Sequence, residues 1–257
     1  MRKLMTGSVF LFVFLFICAT ANATNITVSN WTNETDAIAA MNSWLTSLGG
    51  STYTMLEDFE TQAALLPGTD PGEDSYSFDG TATFEAVSGP GQGEMSFDKS
   101  APKIGVMERD SVGADNFGRT LNWAETDSFF GQQYLDSGDV MEVILNHNLI
   151  DLKLDTLFFF MFDVADCNGT MSVFEDDGSA SLFNIAGRPN GTITFVGLQA
   201  DMGTYLEKIS WNMDKATDGY GLDNFGRVAP VPEPSTMVLM GLGLVGLAGF
   251  GRKKFRK

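Results

Sequence analysis

The spacing of hydrophobic positions changes once along the chain, from a helical period near the start to a two-residue alternation over most of the remainder. In TNETDAIAAMNSWLTSLGG, 32–50, Ile38, Met41, Leu45 and Leu48 fall on one face at three- and four-residue spacing, with Trp44 beside them. Thr32 or Asn33 stands where an N-cap belongs, and Gly49-Gly50 where a helix stops. The pattern predicts one short helix here. Downstream, TATFEAV (81–87), GEMSFD (93–98), DVMEVILNH (139–147), LDTLFFFMFDV (154–164), TMSVFED (170–176), ASLFNIAG (180–187), GTITFVGL (191–198) and LEKISWNM (206–213) are short, β-branched or aromatic, and bounded by Gly, Asp or Asn. In LEKISWNM the alternation is imperfect: Leu206, Lys208, Ser210 and Asn212 oppose Glu207, Ile209, Trp211 and Met213. LFFFMF, 157–162, is apolar on both faces and belongs in the middle of a core. Regular strands without intervening helices predict an all-β fold, a jelly-roll-like β-sandwich with one short N-terminal helix. The turn-rich stretch LLPGTDPGEDSYS, 65–77, is expected as a surface loop.

The two ends break this pattern. Arg2 and Lys3 precede an uncharged apolar run from Val9 to Cys18, which closes on Ala21-Asn22-Ala23, the small-x-small pattern that signal peptidase accepts. Residues 1–23 are therefore expected to be a signal peptide cleaved after Ala23. The chain has two cysteines, and Cys18 leaves with that segment, so Cys167 cannot form an internal disulfide. Its neighbour Asp166 disfavours a thiolate, which points to a structural cysteine.

At the other end, Met237–Gly251 carries no charge and is followed by Arg252, Lys253, Lys254, Arg256 and Lys257. Fifteen helical residues reach about 22 Å, short of a hydrocarbon core of about 30 Å. Ser235 and Thr236 extend the run to the low end of the spanning range. The terminal cations stay on the cytoplasmic side, so the segment is expected as a single transmembrane helix with the bulk of the protein exported. Pro232-Glu233-Pro234, then a Gly/Leu-rich run, then a basic cluster resembles the PEP-CTERM sorting signal of Gram-negative bacteria. That resemblance spans 231–257. It implies recognition by an exosortase, cleavage near Pro232-Glu233-Pro234 after transient membrane anchoring, and delivery to the cell surface or medium, commonly alongside exopolysaccharide and biofilm.

Charge changes the picture of the middle segment. Residues 24–230 hold 32 Asp and Glu against nine Lys and Arg, a net −23, compared with −17 for the whole chain. Phosphates would repel such a surface, which argues against nucleic acid and against an anionic leaflet. Solubility outside the cell and capture of divalent cations both fit.

One heptapeptide recurs: Gly113–Arg119 matches Gly221–Arg227 at six of seven positions. Asp-Asn suits a turn, Phe a core plug, and Gly a second turn. Asp115 and Asp223 also offer oxygens to a structural calcium, although no complete EF-hand loop occurs. Beyond these two readings no cofactor is expected. With LEDFET, 56–61, and GLDNFG, 221–226, the stretch after Asp115 resembles the surface domains that precede PEP-CTERM tails, and implies a lectin-like sandwich.

Catalytic constellations are not singled out. His147 is the only histidine, and no Gly-x-Ser-x-Gly elbow or phosphate loop occurs. A carboxylate pair for glycoside cleavage is not specified among 32 acidic residues. The chain is expected to be non-enzymatic. A carbohydrate-binding module is the competing reading, and it needs aromatic platforms. Trp31, Trp44, Trp123 and Trp211, with Tyr53, Tyr76, Tyr134, Tyr205 and Tyr220, are the candidates. Trp123 and Tyr134 are expected in loops and hence as sugar-stacking residues, Trp44 and Trp211 in the core. The expected partners are signal peptidase, an exosortase and exopolysaccharide.

Overall fold

The computed structural model describes residues 24–50, 52–65, 72–88, 103–108, 129–138, 140–146, 149–164, 168–185, 192–214, 219–228 and 242. Strand β1, Asn25–Trp31, leads into helix α1, Glu34–Ser47. The strands after it are β2 (Tyr53–Glu57), β3 (Ser75–Phe78), β4 (Ala82–Ser88), β5 (Gly105–Glu108), β6 (Gln133–Asp136) and β7 (Glu142–Asn146). After a 3-10 turn at Leu149–Leu152 come β8 (Thr156–Phe162), β9 (Gly169–Glu175), β10 (Ala180–Ile185), β11 (Ile193–Gln199), β12 (Leu206–Met213) and β13 (Gly221–Val228).

Two antiparallel sheets face each other. One runs β1-β11-β8-β13-β6-β5, with β2 also on β13; the other runs β10-β9-β12-β7-β4-β3. Four nested pairs, β9·β10, β8·β11, β7·β12 and β6·β13, alternate between the sheets. Two antiparallel sheets with one helix make an all-β sandwich, as the strand pattern predicts.

The seven-stranded sheet is buried on both faces. Leu157, Phe159 and Met161 of β8 enter the core between the sheets, while Phe158, Phe160 and Phe162 enter a second core on the outer face. Helix α1 covers that outer core with Ala37, Met41, Trp44 and Leu45. The double-sided apolar run at 157–162 thus occupies the middle strand, as expected. Asn33 caps α1 by accepting the Asp36 N–H at 2.9 Å, and the last turn closes with the Gly50 N–H on the Leu45 carbonyl. The helix therefore lies where the three-four spacing places it.

Two bulges correct simpler expectations. The pairing of β12 with β9 shifts between Leu206 and Lys208. An extra residue there lets Leu206 and Ile209 both point inward, although they are three apart. The imperfect alternation of LEKISWNM is that bulge. In β13, Gly221–Arg227 is not a turn but strand, with a register shift against β8 between Asp223 and Gly226. Asn224 takes the left-handed backbone at φ 52°, which Asn tolerates better than most residues. Leu222 and Phe225 then both reach the inter-sheet core. A Cβ on Gly226 would overlap the Phe158 ring, so the bulge needs glycine for this close approach. The 65–77 stretch is also not all loop, since Ser75–Phe78 is β3 and buries Tyr76 and Phe78. GEMSFD at 93–98 lies outside the described residues.

Candidate functional site

A cleft of about 480 Å³ runs between α1 and the edge strand β1. Alternation along β1 puts Thr27, Ser29 and Trp31 on the wall facing the helix. The opposite wall is the helical stripe Asp36, Ala40, Ser43 and Ser47, whose short side chains leave the groove open. Trp44 and Phe195 form the floor, with rings edge-to-face at 5.8 Å between centroids.

The polar groups here are held in place locally. The Trp31 Nε1–H donates to Ser29 Oγ at 3.0 Å, which fixes the half-buried indole. Ser43 donates to the Ala39 carbonyl at 2.8 Å and Ser47 to the Trp44 carbonyl at 2.7 Å, so both hydroxyls keep acceptor lone pairs. Ser29 Oγ, already an acceptor, keeps its own proton to donate. Asp36 Oδ2 accepts from Asn33 Nδ2 at 2.8 Å and retains further acceptor capacity. An apolar ring, hydroxyls of both hydrogen-bonding senses and one carboxylate, with no Lys or Arg among the described lining residues, match a neutral polyol better than an anion.

The residues expected to stack sugars fare differently. Tyr134 is not in a loop: it lies in β6, 2 % exposed, with its ring edge-on to Phe162 at 6.1 Å. Burial removes it as a platform, because its ring is committed to the outer core. Trp123 lies outside the described residues. Trp44 and Trp211 are core residues, as expected. Among the described tryptophans, Trp31 is the half-buried one on the groove wall, while the buried Trp44 forms the floor. The signal for Trp31 was the Thr27-Ser29-Trp31 alternation ahead of a helix with a small-residue stripe, a strand the hydrophobic pattern alone does not reveal.

Of the two calcium candidates, Asp115 lies outside the described residues and Asp223 sits in β13, its Oδ1 accepting the Asn224 N–H at 2.7 Å. Among the described residues no group of three or more His, Cys, Asp or Glu is arranged to hold a metal. Ala23, His147, Cys167 and Pro232-Glu233-Pro234 lie outside the described residues, as does the expected membrane segment apart from Leu242. No helix among the described residues is long and apolar enough to cross a membrane.

Perturbed acids lie away from the groove. Burial pushes the Glu57 carboxyl above its usual range, outweighing the Phe59 N–H that pulls it down from 2.8 Å. Desolvation likewise raises the Tyr76 phenol. The exposed Asp177 is lowered by hydrogen bonds from the Ser179 N–H and hydroxyl.

Residues 230–254 match the PEP-CTERM protein-sorting motif. Neither a curated protein nor a solved structure matches the chain. The motif implies exosortase-dependent sorting of an exported chain to the cell envelope or surface.

Proposed function

We propose that this is an exported, non-enzymatic surface or matrix protein of a Gram-negative bacterium, associated with exopolysaccharide and biofilm. Signal peptidase removes residues 1–23 after Ala23. The tail then anchors the chain transiently until an exosortase cuts near Pro232-Glu233-Pro234. The observation that carries this reading is the placement of the sorting motif. Among the described residues the last strand ends at Val228 and the motif begins at residue 230, so a cut at the Pro-Glu-Pro leaves every described strand whole. Intact-mass analysis of the protein from cells with and without the exosortase tests it. Loss of residues 235–257 only when the exosortase is present is the expected result, and their retention in both strains overturns it.

A second reading, a carbohydrate-binding module, is favoured by the α1–β1 groove. An indole held at the groove wall among hydroxyl donors and acceptors suits the C–H face and hydroxyls of a neutral sugar. Retention of the purified protein on the host exopolysaccharide and on neutral glucans is expected. Passage through every such column unretarded sinks this reading while leaving the sorting assignment intact.

A further inference from the structure

We infer that signal-peptide removal completes the fold electrostatically, by creating an α-ammonium at Thr24 that pairs with the buried carboxylate of Glu175. The inference rests on the proposed cleavage after Ala23. Glu175 ends β9 of one sheet, and Thr24 precedes β1, the edge strand of the other. The two residues meet where the sandwich edge closes, and both are buried, Glu175 at 0 % and Thr24 at 6 % exposure.

Glu175 is surrounded by donors but not by cations. Its Oε1 accepts the Thr24 hydroxyl, and its Oε2 accepts the Thr204 hydroxyl and, at 3.1 Å, the Asp201 N–H. Hydroxyls and one N–H thus serve both oxygens, as an ionised carboxylate requires. Among the described residues the one ion pair is Lys103–Asp74, so no described Lys or Arg balances Glu175. A buried charge without a counter-charge carries a desolvation cost that hydrogen bonds only partly offset.

The Thr24 nitrogen is three covalent bonds from Oγ1, roughly 3–4 Å away, and Oγ1 touches Glu175 directly. In the precursor that nitrogen is a neutral amide. Cleavage after Ala23 makes it an ammonium within range of opposite-charge stabilisation, about 6 Å. Lys208 lies over the Phe174 ring, 4.0 Å from its centroid, on the face of β9 opposite to Glu175, and three further acidic groups share this end with Glu175. Asp176 accepts the Tyr205 N–H at 3.0 Å, Asp177 accepts the Ser179 N–H at 2.8 Å, and Asp201 lines the adjoining cleft. That cleft, about 540 Å³, is bounded by Thr24, Asn25, Ile26, Gln199, Ala200, Asp201 and Met202, with no basic side chain among the described residues. The Ser181 hydroxyl donates to the Thr24 carbonyl at 3.3 Å, tying the same residue to β10.

The test uses the mature exported protein. Its α-amine is acetylated at about pH 6.5, where lysines stay protonated far below their usual value of about 10.4. Intact mass first establishes the N-terminus. With Thr24 first, acetylation is expected to lower the Tm by about 3–6 °C. Glu175→Gln is expected to lower it similarly, and acetylating that variant to add nothing. A Thr24 start with no shift on acetylation, or with the same shift in Glu175→Gln, overturns the pairing and leaves the export reading standing. Any other N-terminus overturns the cleavage reading and the pairing together. Should Glu175→Gln not fold, the labelling rate of the wild-type α-amine against pH decides. Its pKa is expected above the ordinary value of about 7.7–8.0, and one at or below that range overturns the pairing.

Discussion

Gly197 and Trp44 meet across the interface between sheet and helix: a Cβ built on Gly197 would lie 2.5 Å from Cε2 of the indole. The contact decides how closely α1 can lie on β11, and with it the floor of the groove beside β1. Alanine at 197 forces the indole, and the helix that carries it, outward. Gly197→Ala is expected to cost about 1–3 kcal/mol, the range for overpacking a filled core. Thermal unfolding measures the loss, and an unchanged Tm contradicts the tight fit. Any glycan retention by the groove should weaken in the same variant.

Trp31 differs from Trp44 in exposure, and the difference separates binding from stability. Trp31→Ala is expected to abolish retention on neutral glucan with only a small fall in Tm, because the side chain is half-buried at a strand end. Trp44→Ala should instead cost about 3–5 kcal/mol, as for other large aromatic truncations in a core. Retention that survives Trp31→Ala at full strength removes the groove as the sugar site.

The helix cap gives a sharper stability prediction. Asn33→Ala removes the acceptor for the Asp36 N–H and should destabilise the protein by about 1 kcal/mol. Asn33→Asp keeps an acceptor there and should recover most of the loss. Denaturant midpoints of the three proteins, at constant slope, check the ordering.

Glu57 contributes a pH dependence of definite sign. Its carboxyl is raised in the fold, so the folded protein binds more protons than the unfolded chain in a window beginning near pH 4.5 and extending upward. Across that window this one group makes stability fall as pH rises. Glu57→Gln should flatten the component, seen as a smaller stability difference between the acid and neutral ends of the window. A variant whose pH profile superimposes on wild type contradicts it.

Replacing Pro232-Glu233-Pro234 by three alanines should keep the tail on the exported protein. A mass that still includes residues 235–257 is the expected result, and normal processing of the variant counts against the motif as the recognition element.

Much of the fold was legible in the chain because the relevant signals are local. Seven of the eight hydrophobic segments read as strands are strands, and the eighth, 93–98, is outside the described residues. The helix was legible from its cap and spacing. Edge strands were harder. β1, NITVSNW, carries polar residues at alternate positions and one neighbouring strand, so its apolar content is low. β5 and β6 are four residues each, too short for a period to show. Tyr134 reads as a loop residue because QQYLDSGD is polar around it. Its burial comes from the outer core it shares with Phe160 and Phe162, both on β8, a distant segment that the sheet brings alongside.

The sequence by itself determined the class and the destination: period-two segments made the chain β, and the Pro-Glu-Pro tail with its basic end marked it for sorting. Tertiary structure alone decided where the bulges fall, which tryptophan stands on the groove wall and which forms its floor, and that Glu175 of one sheet meets Thr24 at the start of the other. Those relationships join residues far apart in the chain, Thr24 and Glu175 by 151 positions. They are set by how the two sheets stack and how α1 seats on Gly197, and neighbouring residues carry no trace of either.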